Sequence, residues 1–483
     1  MTGVEGGSLR TVFMNIDESR IRTIVEEVLR TLSQADGQAA VSSPGDDGVF
    51  QDVDAAVDAA ERAQCELAGL SLERRREIIA AIRKAGLDMA GESARRTCEE
   101  TGMGNVPDKT QKHVIVSTLT PGVEDLEQKA WTGDHGLTVV EMAPYGVIAS
   151  VTPSTHPVPT ILNNAISILA AGNSVVFNPH PGARKVSAFG LQKINRGIVA
   201  AGGPPNLLTM VESPTVETAH VLFKHPKVAL LLVTGGPGVA RAAMNAPKRA
   251  IVAGPGNPPV VVDQTADLEK AARDIIAGAS FDNNILCIGE KETFAVASVA
   301  DDLKRFMLQQ GAYELNGAQV EALANIAFQR DKGEPRLNRE LVGRDAWVLA
   351  ERIGLNIDKS IRLLIGETGP DHVFVQEEQM MPFMPIVRVP DAATAIDCAI
   401  RTEHGYRHTF VIHSRNVETM TILGKRCNAC LYVKNGPSYA GLGVGGEGFT
   451  SFSIAGPTGE GCTSARTFTR SRRCTMVDYL RIV

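Results

Sequence analysis

From Val139 onward the chain alternates short β-branched runs with amphipathic stretches, and this rhythm restricts the fold more than any other feature of its 483 residues. Val147–Val151, Ser174–Phe177, Val228–Val233, Ile251–Val252, Val260–Val262 and Thr293–Val296 read as strands. Thr160–Ala171, Ala183–Ala200, Val239–Met244 and Leu268–Ala277 read as the helices that separate several of them. Parallel strands need long crossovers, so the alternation predicts an α/β chain with parallel sheets. A second such block runs from about Leu303 to Val433, and two helices, Asp52–Leu67 and Leu72–Met89, open the globular part near Gln51. At roughly 150 residues per domain, the length allows two or three domains.

Composition removes whole classes of function. The formal net charge of -6 argues against a broad nucleic-acid or anionic-membrane surface. The best apolar run, Val228–Val233, falls far short of the ~18 residues that span a bilayer. The N-terminus lacks the basic-then-apolar pattern of a secretory signal, and eight scattered cysteines suit a reducing compartment better than a disulfide framework.

Residues 1–13 are featureless, and the sequence leaves open whether Met1 or Met14 is the natural start. A helical pattern then covers Asp17–Ser33. Ile21, Ile24, Val25, Val28, Leu29 and Leu32 form one apolar stripe opposite Arg22, Glu26, Glu27 and Arg30. Gln34–Gly48 reads as a flexible linker. Such a helix either folds back onto the body or an oligomer interface, or docks its stripe into a partner's groove.

Several motifs carry possible chemistry. Gly441-Leu-Gly-Val-Gly-Gly446 matches a dinucleotide fingerprint formally, but no clear helix follows it, and a mobile loop near a ligand is the better reading. Thr234-Gly235-Gly236-Pro-Gly238 joins an apolar strand to a helix, where backbone N–H groups can face a phosphate; a ligand-free tight turn stays open. Cys427-Asn-Ala-Cys430 lacks a second cysteine pair or a histidine pair, so two small buried thiols are expected and no metal. His404 and His408 are expected on a loop that leads into a strand at Thr409–Ile412. Cys287 follows a polar Asp282-Asn283-Asn284 loop and precedes Gly289, a setting that permits a reactive thiol.

Taken together, these segments resemble the aldehyde dehydrogenase superfamily over nearly everything after residue 50. Glu377-Glu378-Gln-Met-Met-Pro-Phe is similar to its E-E-I-F-G-P segment, Gly172-Asn-Ser-Val-Val-Phe-Asn178-Pro179 to its G-N-x-V-V-x-K-P segment, and Thr234-Gly235-Gly236 to its T-G-S turn. The resemblance implies an aldehyde dehydrogenase-like fold, with two parallel-sheet Rossmann-like domains and a small oligomerisation element. It also implies Cys287 as nucleophile, Glu378 on the nicotinamide ribose, and Asn178, Pro179 and Thr234–Gly236 beside NAD.

The departures carry as much information. Ala253-Gly-Pro-Gly-Asn257 stands where hydrolytic members have E-L-G-G-K, so Ala253 replaces their general-base glutamate. Positioned bases contribute about 10²–10⁴-fold to such steps, whereas a thiolate acceptor needs less help. Transfer to a thiol is therefore favoured over hydrolysis. Pro153-Ser-Thr155-His156-Pro157 replaces P-W-N-F-P, which leaves the oxyanion contact to the Cys287 N–H first, with Thr155 as a further candidate. His156 stands where many relatives have asparagine. Asn435–Phe452, Pro457–Gly461, Thr463–Arg470 and His404-Gly-Tyr-Arg-His408-Thr409 resemble the CoA-acylating branch of the propanediol- and ethanolamine-utilisation pathways. That branch implies coenzyme A as co-substrate, a small aldehyde such as propanal or acetaldehyde, and a homo-oligomer. His408 would assist thiol deprotonation or shape the CoA site.

Residues 14–33 resemble the branch's targeting peptides, which implies docking to the shell of a bacterial microcompartment and residence in its lumen. The expected organisation is 1–33 as targeting extension, 34–50 as linker, 51–253 as NAD domain with an oligomerisation hairpin at 122–143, 254–436 as cysteine domain, and 437–483 as C-terminal loop and oligomerisation segment. Two rivals remain: a hydrolytic aldehyde dehydrogenase that releases free acid, and a catalytically silent compartment cargo or scaffold.

Overall fold

A computed structural model describes residues 18–32, 46–331 and 334–482. Met14, Ser33 and residues 34–45 of the expected linker lie outside the described residues. Two parallel sheets form the body. In the first, the strands run in the order Val49–Phe50, Leu208–Val211, Ser174–Pro179, Val147–Thr152, Val228–Thr234 and Ala250–Ala253. The second has the order Ala312–Glu314, Leu363–Glu367, Phe383–Val389, Glu292–Val296, Pro259–Val262, Thr409–His413 and Leu431–Lys434. Every residue of Val147–Thr152 and Ser174–Pro179 is buried, which is why both read as nearly unbroken apolar runs: helices cover each face. One of these helices, Pro157–Ala170, is buried over its whole length.

Elements expected from the sequence sit where they were read, usually extended by a few residues at an end. Val49–Phe50 pairs with Met210–Val211, so the ordered body starts before Gln51, inside the segment read as linker. Two further helices, Ala90–Thr101 and Val106–Leu119, were not read from the pattern. The second buries Asp108, Lys109, Lys112 and His113, which a periodicity argument assigns to solvent.

A third, antiparallel sheet stands apart from the core. Lys129–Gly133 and Gly136–Pro144 form a hairpin, and Thr469–Val477 pairs along the outer side of Gly136–Pro144. Trp131, Met476 and Val477 are exposed on it.

The N-terminal helix Glu18–Leu32 lies against Val106–Leu119 and Ala90–Thr101. Ile21 and Val25 are buried there, and Ile24 is partly buried beside them. These three residues of the stripe thus pack on the body in this conformation.

Candidate active site

Two loops, one from each parallel sheet, face a shared cavity of about 1100 Å³. Thr155 follows strand Val147–Thr152 of the first sheet, and Cys287 precedes strand Glu292–Val296 of the second. Asn178, Pro179, Thr234–Gly236, Ala253 and Glu378 line the same cavity. His408 and the Gly441–Gly446 run are not among the residues that line it, and Leu442 and Val444 of that run are core residues.

The approach to Cys287 is unusual backbone. Asp282, Asn283 and Asn284 have φ of 46°, 56° and 61°, a left-handed run that Asp and Asn tolerate better than other non-glycine residues. Side-chain bonds hold each of them. Asp282 accepts from Lys109 Nζ at 3.0 Å, Lys112 Nζ at 2.5 Å and the Asn105 N–H at 3.1 Å. Asn283 Nδ2 donates to Gly343 O at 2.9 Å, and Asn284 Nδ2 to Glu290 O at 2.9 Å. Lys291 Nζ donates to Asn284 O at 2.7 Å and Oδ1 at 2.5 Å. A segment that reads as a polar surface loop is therefore a buried scaffold under the thiol.

Burial pushes the Cys287 thiol up to about 12; Glu378 acts in the same direction, while Lys291, Lys112 and the residue's own N–H oppose it. Burial thus favours the thiol over the thiolate, and the two lysines and the N–H favour the thiolate. Burial likewise raises Glu378 to about 7, against Lys291 and the Gly256 N–H. A Cβ on Gly256 would stand 2.6 Å from Cys287 O and 3.1 Å from His408 Cγ, so only glycine fits between them. His408 is buried; its N–H donates to Glu403 at 2.7 Å, its Nδ1 pairs with Thr409 Oγ1 at 2.9 Å, and its Nε2 has no partner. Burial, then Lys291, lowers its pKa to about 4, which keeps the ring neutral.

Thr155 Oγ1 lies 2.9 Å from His156 Nδ1, and the His156 ring packs edge-on against Phe452 at 5.5 Å. Burial and then the two lysines hold His156 well below its ordinary pKa, so it too is neutral. If Nδ1 carries the proton, Thr155 is free to donate its own into the cavity.

The opposite end of the cavity suits a dinucleotide. Strand Val228–Thr234 ends at Thr234, and helix Pro237–Met244 starts after Gly236. A Cβ at Gly236 or Gly238 would meet open space, which leaves the helix-start amides uncovered for a diphosphate. Thr234 Oγ1 pairs with Ser453 at 2.8 Å, and Ser453 donates to Asn164 at 3.0 Å, so a buried polar chain fixes the turn. Asn178 Nδ2 donates to Thr215 O at 3.1 Å and its Oδ1 accepts from Thr218 at 2.6 Å; it shapes the wall. Among the described residues the cavity-lining carboxylates are Glu100 and Glu378. Glu100 is tied up at a helix start, accepting from Lys185 N at 2.9 Å and Val186 N at 2.7 Å.

The histidines reach the strand at Thr409 by a loop, as expected, and Cys427 and Cys430 are free thiols, the first buried. Among the described residues no group of His, Cys, Asp and Glu could hold a metal. Lys109, Lys112 and Lys291 were missed by sequence reading, because lysines on an apparent polar face carry no sign of burial.

Residues 26–316 match the aldehyde dehydrogenase family. This chain belongs to that family. It is 50% identical over 471 residues to the acetylating acetaldehyde dehydrogenase EutE of Salmonella typhimurium, covering 97% of this chain and all of that one. A propionaldehyde dehydrogenase from the fucose-utilisation bacterial microcompartment of Clostridium phytofermentans superposes with a TM-score of 0.88 at 48% identity, covering 90% of this chain and all of that one. The Rhodopseudomonas palustris propionaldehyde dehydrogenase, solved with bound CoA and an acylated cysteine, gives 0.88 at 47% identity, over 92% of this chain and all of that one. Ala253, the last residue of strand Ala250–Ala253, lines the cavity with Cys287.

Proposed function

We infer that this protein is a CoA-acylating aldehyde dehydrogenase, which oxidises a short-chain aldehyde such as propanal or acetaldehyde with NAD and CoA to acyl-CoA and NADH. The observation that carries the choice of acceptor is Ala253. It lines the cavity with Cys287, where hydrolytic members place a base, and neither lining carboxylate replaces that base: Glu100 is capped, and Glu378 is assigned to the cofactor.

In this reading the Cys287 thiolate attacks the aldehyde carbonyl, and the Cys287 N–H, aided by Thr155 Oγ1, receives the oxyanion. Bound NAD supplies the hydride acceptor that converts the adduct to a thioester. Glu378 holds the nicotinamide ribose, and the amides after Gly236 hold the diphosphate. The thioester waits on Cys287 without an activated water until the CoA thiolate takes the acyl group. His408, neutral and set behind Gly256, shapes the CoA end of the site only through that close packing and moves no proton. A CoA-dependent NADH assay across aldehydes of increasing length tests the reading; rapid turnover without CoA overturns it in favour of hydrolysis.

The reading extends to location and assembly. Residues 14–33 dock on microcompartment shell proteins and carry the enzyme into the lumen, which the Ile21–Val25 stripe and the compartment origin of the C. phytofermentans relative support. Because Ile21 and Val25 are covered by the body here, docking through them requires the helix to leave Val106–Leu119. The sheet containing Trp131, Met476 and Val477 is the natural face for a homo-oligomer. Deletion of residues 1–33 should abolish co-localisation with the shell; if co-localisation survives, targeting lies elsewhere.

A further inference from the structure

The two walls of the reaction site come from different sheets, and one side chain is bonded to both. Lys109, on helix Val106–Leu119, donates from Nζ to Thr155 O at 3.1 Å and to Asp282 Oδ2 at 3.0 Å. We propose that Lys109 is a positioning residue that sets the gap between Thr155 and Cys287, and thereby the length of aldehyde chain the enzyme accepts. The proposal rests on the acylating reading with Cys287 as nucleophile.

The placement is rigid. Asn105 caps the helix by accepting from Asp108 N at 2.9 Å, and His113 reaches Ser93 Oγ at 2.8 Å from the same buried face. Gly104, just ahead of the cap, abuts the cysteine loop so closely that a Cβ there would stand 1.9 Å from Asp282 Oδ1. The Lys109 side chain is 3% exposed, and those of Lys112 and Asp282 are fully buried. Two buried ammonium groups share the Asp282 carboxylate, while Asp108 pairs with Arg362. Apolar residues of similar volume stabilise an interior as well or better than buried ion pairs, so stability alone does not explain the arrangement. What the lysine provides is a fixed distance. Its bond to the Thr155 carbonyl anchors Thr155, His156 and, through the ring contact, Phe452, all of which line the cavity opposite Cys287. Lys112 binds the same carboxylate, and no bond joins it to Thr155, which makes it an internal control.

The test compares Lys109→Met with Lys112→Met, reading kcat/KM for acetaldehyde, propanal and pentanal together with thermal stability. Lys109→Met should lower kcat/KM for acetaldehyde, by up to about 10²-fold for a displacement of about 1 Å. It should also raise the pentanal-to-acetaldehyde ratio several-fold, with KM for NAD unchanged. Lys112→Met should lose stability to a similar degree and keep the wild-type ratio. Lys109→Gln, which retains an N–H donor, should fall between wild type and Lys109→Met, and it carries the test if the methionine variant does not fold. The proposal is overturned if the ratio stays at the wild-type value in the Lys109 variants, or moves equally in the Lys112 variant. Failure of the underlying reading shows separately, as aldehyde oxidation that survives in Cys287→Ala.

Discussion

The segment around Cys287 and the N-terminal helix are held in opposite ways. Between Asp282 and Lys291, strained backbone is fixed by hydrogen bonds and buried charges from helix Val106–Leu119, from the second sheet and from Gly343. Among the described side chains of helix Glu18–Leu32, Ile21 and Val25 are buried against the body, each worth roughly 1.5–3 kcal/mol. That hold must offset the ordering of a 15-residue helix, a large opposing term. The proposed chemistry thus sits where polar bonds over-determine the geometry, and the proposed address sits on a helix packed by apolar side chains that a partner's groove could equally cover.

The comparison can be broken most sharply at the nucleophile. Cys287→Ala should lower NADH formation by about 10⁴-fold or more while leaving shell co-localisation intact; retained turnover would place the chemistry elsewhere. Next in size, Ala253→Glu should raise CoA-independent NADH production by about 10²–10⁴-fold, the contribution of a positioned base, as followed by absorbance with aldehyde and NAD alone. A smaller effect is expected at Glu378. Its negative charge adds to burial in raising the Cys287 pKa, so Glu378→Gln should lower that pKa and speed iodoacetamide alkylation several-fold near pH 8, while KM for NAD rises. Slower alkylation would reverse the sign of that coupling. Smallest for catalysis, Ile21→Asp with Val25→Asp should leave turnover unchanged and abolish co-localisation. A large loss of turnover would show that the helix belongs to the rigid part after all.

Glu290 extends the pH argument to stability. Burial raises its carboxyl to about 7, above an ordinary value of 4.5, so the folded state binds the extra proton. Stability from this group is present below about pH 4.5 and is lost as pH rises through 7. Glu290→Gln should flatten the melting-temperature profile over that window.

Much of this was legible in the sequence. The parallel sheets were, because strands buried on both faces leave unbroken apolar runs such as Leu230–Val233. The cavity lining was legible only through resemblance, since Glu378, Thr234 and Ala253 converge from distant segments and no periodicity marks them. Helix Val106–Leu119 was not, because its inward face carries Asp108, Lys109 and Lys112, which bond to an Asp282 far along the chain, and His113, which bonds to Ser93. The strand Thr469–Val477 was missed for the converse reason: eight of its nine residues are exposed, so it lacks an alternating apolar face.

The central claim is that an acyl group rests on Cys287 until CoA removes it. Mixing the enzyme with propanal and NAD in the absence of CoA, and following NADH alongside peptide mass spectrometry, tests this directly. The expected result is a single stoichiometric burst of NADH with a propanoyl group on the Cys287 peptide, discharged as propanoyl-CoA when CoA is added. Continuous NADH production without CoA, or acylation of a different residue, would contradict it.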